Sequence, residues 1–262
     1  MLPHRNRNPA RLPIPPLARS GEGRSYRRNA GCGSPHHRPP ALNLTPVSVA
    51  RSFERRLERL LEGAVGRVFS GRIHPAEIAG KLAREADFAR FEHHTGPATA
   101  NAYTLLVHPR DLTVDTEDLA AHLVDELTGY AADEGLRLEG PVTVTIEASR
   151  EVAPGQVICH VEVQPGEAVS WAKLVSSEES LALSPNRVLV GRSPSADVTI
   201  DHDDVSRRHA LIWRQRGRVW VRDLGSANGT FVDSARVGAR PVSVGHGSVL
   251  AFSAHQYRLL EV

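Results

Sequence analysis

Apolar residues change their spacing partway along the chain, and the change divides it. Phe53, Leu57, Leu60, Leu61, Val65, Val68 and Phe69 recur at three- and four-residue steps, while Glu54, Arg55, Glu58 and Arg59 occupy the opposite side. That period predicts an amphipathic helix, with Ser52 as its N-cap. Gly71 and Ile73-His74-Pro75 interrupt it, and Pro75 opens a second helix that turns Ile78, Leu82, Ala86 and Phe88 inward. AYTLLVHP at 102–109 reads as a strand. Residues 116–134 predict a third helix with Leu119, Leu123, Leu127 and Tyr130 on one side and Thr116 as N-cap. Its early acids suit the positive helix N-terminus. VTVTIE (142–147) and QVICHVEV (156–163) alternate as strands, and Pro154-Gly155 between them suggests a hairpin. The order ααβαββ predicts a small α+β domain over 49–165, with helices layered on a sheet.

Beyond a polar linker at 166–178 the helical period is gone. Short strands follow at 180–183, 187–191, 197–200, 209–215, 218–224, 230–233, 248–252 and 256–262, separated by turn residues. Such spacing predicts an all-β sandwich over 179–262, a fold that places recognition loops at one end. Residues 171–175 are open to reading as linker or as a first strand. The chain is therefore read as multidomain.

Charge adds a third region. The 262 residues carry a formal net charge of +2, yet residues 1–50 hold eight arginines against Glu22 alone and carry +7, leaving −5 for the rest. Nine of the 18 prolines lie at or before Pro46. This leader, 1–48, has no apolar period and too little apolar surface to offset ordering entropy, so disorder is expected. It lacks the apolar core of a secretory signal. Two readings stay open: a basic arm for nucleic acid or anionic membrane, or a start-site artefact, with translation beginning at Val47 or Val49. No run of about 18 apolar residues predicts a membrane span. Two cysteines, Cys32 and Cys159, support neither a disulfide framework nor a cysteine-rich zinc site.

The α+β domain shows no catalytic pattern. His93 and His94 are placed at a helix end, Cys159 in the core, and the acids near 85–87 and 115–118 in solvent or at caps. No metal site and no cofactor are expected, and His36/His37 in the leader give no ligand set.

Three loop segments of the C-terminal part carry chemistry: GRSPSADVTID (191–201), VSRRHA (205–210) and DLGSANGTFVD (223–233). Gly191-Arg192, then Ser206 to His209, then Asn228-Gly229 resemble, in order and separation, the pattern of the forkhead-associated (FHA) domain. A phosphothreonine brings nearly two negative charges and three acceptor oxygens, and its binder needs a planar fork, a short hydroxyl and fixed N–H groups. The resemblance implies phosphopeptide-binding roles for Arg192, Ser206, Arg207 and Asn228, with Gly191, His209 and Gly229 architectural. The two glycines are expected to permit tight turns. Ala227 departs from the family, which often carries Thr, Arg or Lys before the Asn. Arg208 either compensates or points to solvent. Asp203, Ser206 and His209 hold the letters of a hydrolase triad without a nucleophile elbow. Trp213 and Trp220 are expected to pack across neighbouring strands.

SFERRLERLLEG with ANAYTLLVHPRDL and EGLRLEGPVTVTIE is similar to the N-terminal domain of FhaA-type actinobacterial proteins. The resemblance implies a cytoplasmic, non-catalytic adaptor in Ser/Thr kinase signalling. Its implied partners are threonine-phosphorylated proteins: transmembrane PASTA-type kinases and their substrates, including a pseudokinase segment of the cell-wall precursor export machinery. The implied process is control of peptidoglycan synthesis and growth, with recruitment to the inner membrane face through partners. The alternative is a nucleic-acid-associated regulator using the leader or the N-terminal domain, which steeply salt-dependent binding would mark.

Overall fold

A computed structural model describes residues 53–262 apart from 60, 63–68, 70–72, 113–115 and 239. The leader, Ser52, Leu60, Val65, Val68 and Asp115 lie outside the described residues. Helix α1 holds residues 53–59 and 61–62, α2 spans Pro75–Phe88, and α3 spans Glu117–Glu134. The three apolar stripes meet one face of a sheet made of β3 (Ala102–Val107), β4 (Thr143–Ala148) and β5 (Val157–Glu162). Phe53, Leu57, Leu61, Ile78, Leu82, Leu123 and Leu127 close this core against Tyr103, Leu105, Val107 and Cys159. Phe53 stacks on Tyr130 with ring centroids 4.2 Å apart.

Four local expectations fail here. Phe88, the last residue of α2, is 81% exposed, because at about 3.6 residues per turn it falls on the face opposite the buried stripe of Ile78, Ala79, Leu82, Ala83 and Ala86. His93 and His94 belong to a hairpin of β1 (Phe91–His93) and β2 (Gly96–Ala98), not to a helix end. Thr116 occupies the N-cap position of α3 in an αR conformation and makes no side-chain cap. The strands flanking Pro154-Gly155 do not pair with each other. β3 lies between them, parallel to β4 and antiparallel to β5, since α3 serves as the crossover from β3 to β4.

The C-terminal part is an all-β sandwich. Its strands are β6 (Ala172–Val175), β7 (Ser180–Leu183), β8 (Arg187–Gly191), β9 (Val198–Thr199), β10 (Ala210–Gln215), β11 (Arg218–Asp223), β12 (Thr230–Val232), β13 (Ala235–Arg236), β14 (Val242–Val244), β15 (Val249–Phe252) and β16 (His255–Glu261). They form a five-stranded sheet ordered β14-β11-β10-β8-β9 and a six-stranded sheet ordered β13-β12-β15-β16-β6-β7. The segment 166–178, read as linker, thus contains β6, which pairs with β7 and β16. Val188, Val190, Ile212 and Val221 of one sheet bury against Leu174, Leu250, Phe252 and Leu259 of the other.

Alternation along β8 and β10 also sends Leu189, Leu211 and Trp213 to the outer face, and they too are buried. The N-terminal domain lies on that side. The Arg187 guanidinium stacks over Trp213 at 4.8 Å while donating to the carbonyls of Thr95 and Gly135. Asn186 and Gln215 donate to the carbonyls of Leu136 and Glu134. Gly96 permits this approach: its φ is +117°, and a Cβ there would lie 2.7 Å from Arg187 Nε. Trp213 and Trp220 are register partners across β10 and β11, so they pack as a cross-strand pair.

Candidate functional site

The loops after β8, before β10 and after β11 converge, and backbone hydrogen bonds fix their spacing. Arg192 N–H donates to Ser206 O at 3.1 Å, and Ser193 N–H to Arg207 O at 3.3 Å. Gly191 is required by close approach rather than by a turn. It ends β8, and a Cβ at that position would lie 2.3 Å from Arg207 O. Gly229 does occupy a turn conformation, with φ +89°.

Ser206 is held from two sides. Its Oγ accepts from Ala227 N–H at 3.1 Å, which leaves its own O–H proton for another acceptor. Its backbone N–H donates to His209 Nδ1 at 3.1 Å. His209 must then carry its proton on Nε2, which donates to Gly229 O at 3.1 Å. The ring is fully buried, edge-on to Phe252. Burial lowers its pKa, overcoming the opposing hydrogen bond to Gly229 O and the nearby Asp223 and Asp204. Neutral His209 therefore bridges the Ser206 loop to the Asn228-Gly229 loop. Ser206 Oγ makes no bond to this imidazole, so the triad letters do not form a triad.

Asn228 donates one amide hydrogen to Asp204 O at 2.8 Å, leaving its oxygen and second hydrogen for a ligand. Asp204 in turn accepts from Ser253 Oγ at 2.6 Å and meets His255 Nε2 at 2.9 Å, and these two hydrogen bonds hold its carboxyl below the usual range. Ala227 contributes its backbone N–H although its side chain is short. Asp223 shapes the same loop. It accepts from Gly225 N–H, Ser226 N–H, Ser226 Oγ and Thr230 Oγ1 at 2.5–3.0 Å. Burial would raise its pKa, but these donors lower it. Asp-Leu-Gly-Ser at 223–226 carries the local Asx-turn signal for this role, which the sequence reading left unused.

Arg192 and Arg207 are exposed, and among the described residues their guanidinium groups have no acceptor. The convergence thus presents two free cations, one hydroxyl hydrogen and one amide on a hydrogen-bonded frame. That donor set suits a doubly charged phosphate attached to an extended main chain. Arg208 resolves in a third way, donating from Nη2 to the carbonyl of His94 at 2.9 Å. Cys159, far in sequence from these loops, is a core thiol whose pKa burial pushes up to about 12. Among the described residues there is no metal-ligating cluster, and no helix is long and apolar enough to cross a membrane.

Comparison with known proteins divides the chain the same way. Residues 51–160 match the family model described as "FhaA, N-terminal domain", and residues 188–253 match that of the FHA domain. The FHA domain-containing protein FhaB of Mycobacterium tuberculosis is 43% identical over 58 residues, covering 22% of this chain and 37% of that protein. An oxoglutarate dehydrogenase inhibitor of Corynebacterium diphtheriae is 51% identical over 43 residues, covering 16% and 30%. The chain thus spans well under half the length of these relatives. A solved FhaA FHA domain, complexed with the intracellular domain of Rv3910, aligns at 26% identity and a TM-score of 0.30, covering 34% of this chain and 96% of that one.

Proposed function

From the FhaA-type architecture of this chain, an FhaA N-terminal domain followed by an FHA domain, we propose that it is a non-catalytic adaptor that captures threonine-phosphorylated proteins. The observation that carries this reading is the bonded frame that presents Arg192, Ser206, Arg207 and Asn228 together. Arg192 and Arg207 pair with phosphate oxygens, the Ser206 hydroxyl donates to a third, and Asn228 holds the peptide main chain beside the phosphothreonine. Gly191, His209 and Gly229 keep the loops in register. On this reading the functional division is 49–165 for the N-terminal domain and 179–262 for the FHA domain.

The proposed setting is cytoplasmic Ser/Thr kinase signalling. The ligands would be PASTA-type kinases and their substrates, a pseudokinase segment of cell-wall precursor export among them, with peptidoglycan synthesis and growth as the controlled process. The test is isothermal titration of the full chain with a degenerate phosphothreonine peptide mixture and its unphosphorylated counterpart. Binding should need the phosphate and should weaken ten- to a hundredfold in Arg192→Ala or Ser206→Ala, the worth of about 1.5–3 kcal/mol for a charged hydrogen bond. Equal affinity for the unphosphorylated mixture would overturn the proposal.

A further inference from the structure

Both loops that would grip the phosphate are also held by the N-terminal domain. Arg137, three residues beyond α3, has its side chain 8% exposed. Its five N–H donors reach three partners. Nε donates to Glu139 at 2.7 Å, with a longer contact from Nη2 to the same carboxylate at 3.5 Å. Nη1 donates to the Arg187 carbonyl at 2.7 Å. Nη1 and Nη2 together fork onto Asp197 at 2.9 and 2.8 Å. Asp197 lies on the loop that begins with Arg192, and it also accepts from Leu189 N–H at 2.7 Å, within the strand that leads into that loop. The second contact is the bond from Arg208 to the His94 carbonyl. Arg208 follows Ser206 and Arg207 directly.

We propose that the N-terminal domain is a working part of the phosphothreonine site: Arg137 positions the Arg192 loop through Asp197, and the His94 carbonyl positions the Ser206 loop through Arg208. A bidentate Arg–carboxylate pair with little water access fixes both distance and direction, and a lysine cannot reproduce that fork. The fixed loops lie across the Arg192 N–H to Ser206 O contact from one another. Phosphate binding at Arg192, Ser206 and Arg207 and interdomain docking at Asp197 and Arg208 thus act on the same two loops and favour the same arrangement. Reciprocity follows from linkage: if docking strengthens peptide binding, peptide strengthens docking by the same factor. Arg137 is a positioning residue and touches no ligand.

This rests on the phosphothreonine reading above, and the experiment separates the two. The full chain, Arg137→Met and Arg137→Lys are titrated with the degenerate phosphothreonine peptide mixture. Hydrogen exchange at 94–97 and 135–139 is followed with and without peptide. We expect Arg137→Met to bind roughly fivefold or more weakly, and Arg137→Lys to recover part of the loss. In the unmodified chain, peptide should slow exchange in both N-terminal segments. That second readout needs no variant to fold, and a merely structural arginine would not produce it. Wild-type binding with unchanged affinity in folded Arg137→Met, or with peptide-independent exchange in both segments, overturns this proposal alone. No phosphopeptide binding by the unmodified chain overturns the underlying reading and this proposal with it.

Discussion

His209→Ala should damage the candidate site without touching any ligand. The imidazole accepts from Ser206 N–H and donates to Gly229 O, at 3.1 Å each, and is fully buried beside Phe252. An unsatisfied buried polar group costs about 1–3 kcal/mol. Neither partner bears that full cost: Gly229 O keeps its bond from Ser253 N–H at 3.0 Å, and half-buried Ser206 N–H can recover water, so the two lost hydrogen bonds cost about 1 kcal/mol each. Adding the lost packing against Phe252, the expected destabilisation is about 3 kcal/mol. That is a large share of the 5–15 kcal/mol typical of a folded domain. All three tryptophans, Trp171, Trp213 and Trp220, lie in the sandwich, so urea unfolding followed by tryptophan fluorescence reports on this part of the chain. The pH dependence has a definite sign. Burial lowers the His209 pKa in the folded state, below the ordinary value of about 6.5. The unfolded chain then binds the proton more readily, so this contribution is complete above pH ~6.5 and declines as pH falls through and below it. The stability difference between wild type and His209→Ala should therefore narrow on acidification. An unfolding midpoint equal to wild type at pH 7.5, or a difference that widens as pH falls, would refute the bracing argument.

Gly191→Ala should weaken phosphopeptide binding at least tenfold and destabilise the sandwich by about 1–3 kcal/mol, because its Cβ would meet Arg207 O at 2.3 Å and push the two loops apart; titration and urea unfolding read both effects. Asp223→Asn should cost about 1–2 kcal/mol by replacing one of two acceptor oxygens, each of which takes two donors, with an amide NH2 group that donates instead. Because the Asp223 pKa is lowered in the fold, wild type keeps that contribution above pH ~3.9 and loses it as pH falls towards the folded value, so acid titration of both proteins should show their stabilities converging. Cys159, with its thiol pushed up to about 12 by burial, should resist iodoacetamide at pH 8 until denaturant is added, as mass spectrometry of labelled protein would show.

Much was legible in the sequence because two periods are local. Three- and four-residue steps mark α1, α2 and α3, and short alternating runs between turn residues mark most of the sandwich strands. The Gly191-Arg192, Ser206-to-His209 and Asn228-Gly229 segments also mark one end of that sandwich, because turn and strand-end chemistry is written in a few adjacent residues. The short strands β13 and β14 escaped, since two or three residues carry no readable period.

The tertiary structure decided what depends on residues distant in sequence. Pro154-Gly155 states a turn, but the partner of each flanking strand is set by β3 and by the α3 crossover. Val188-Leu189-Val190 and Ala210-Leu211-Ile212-Trp213 are unbroken apolar runs, the mark of strands covered on both faces. The sequence by itself states that such cover is needed. It does not state that the α+β domain lies on that side, because pairings such as Arg137 with Asp197, and Arg208 with the His94 carbonyl, span 60 and 114 residues. Local propensity has no term for such contacts, which exist only once both cores have formed and their surfaces meet.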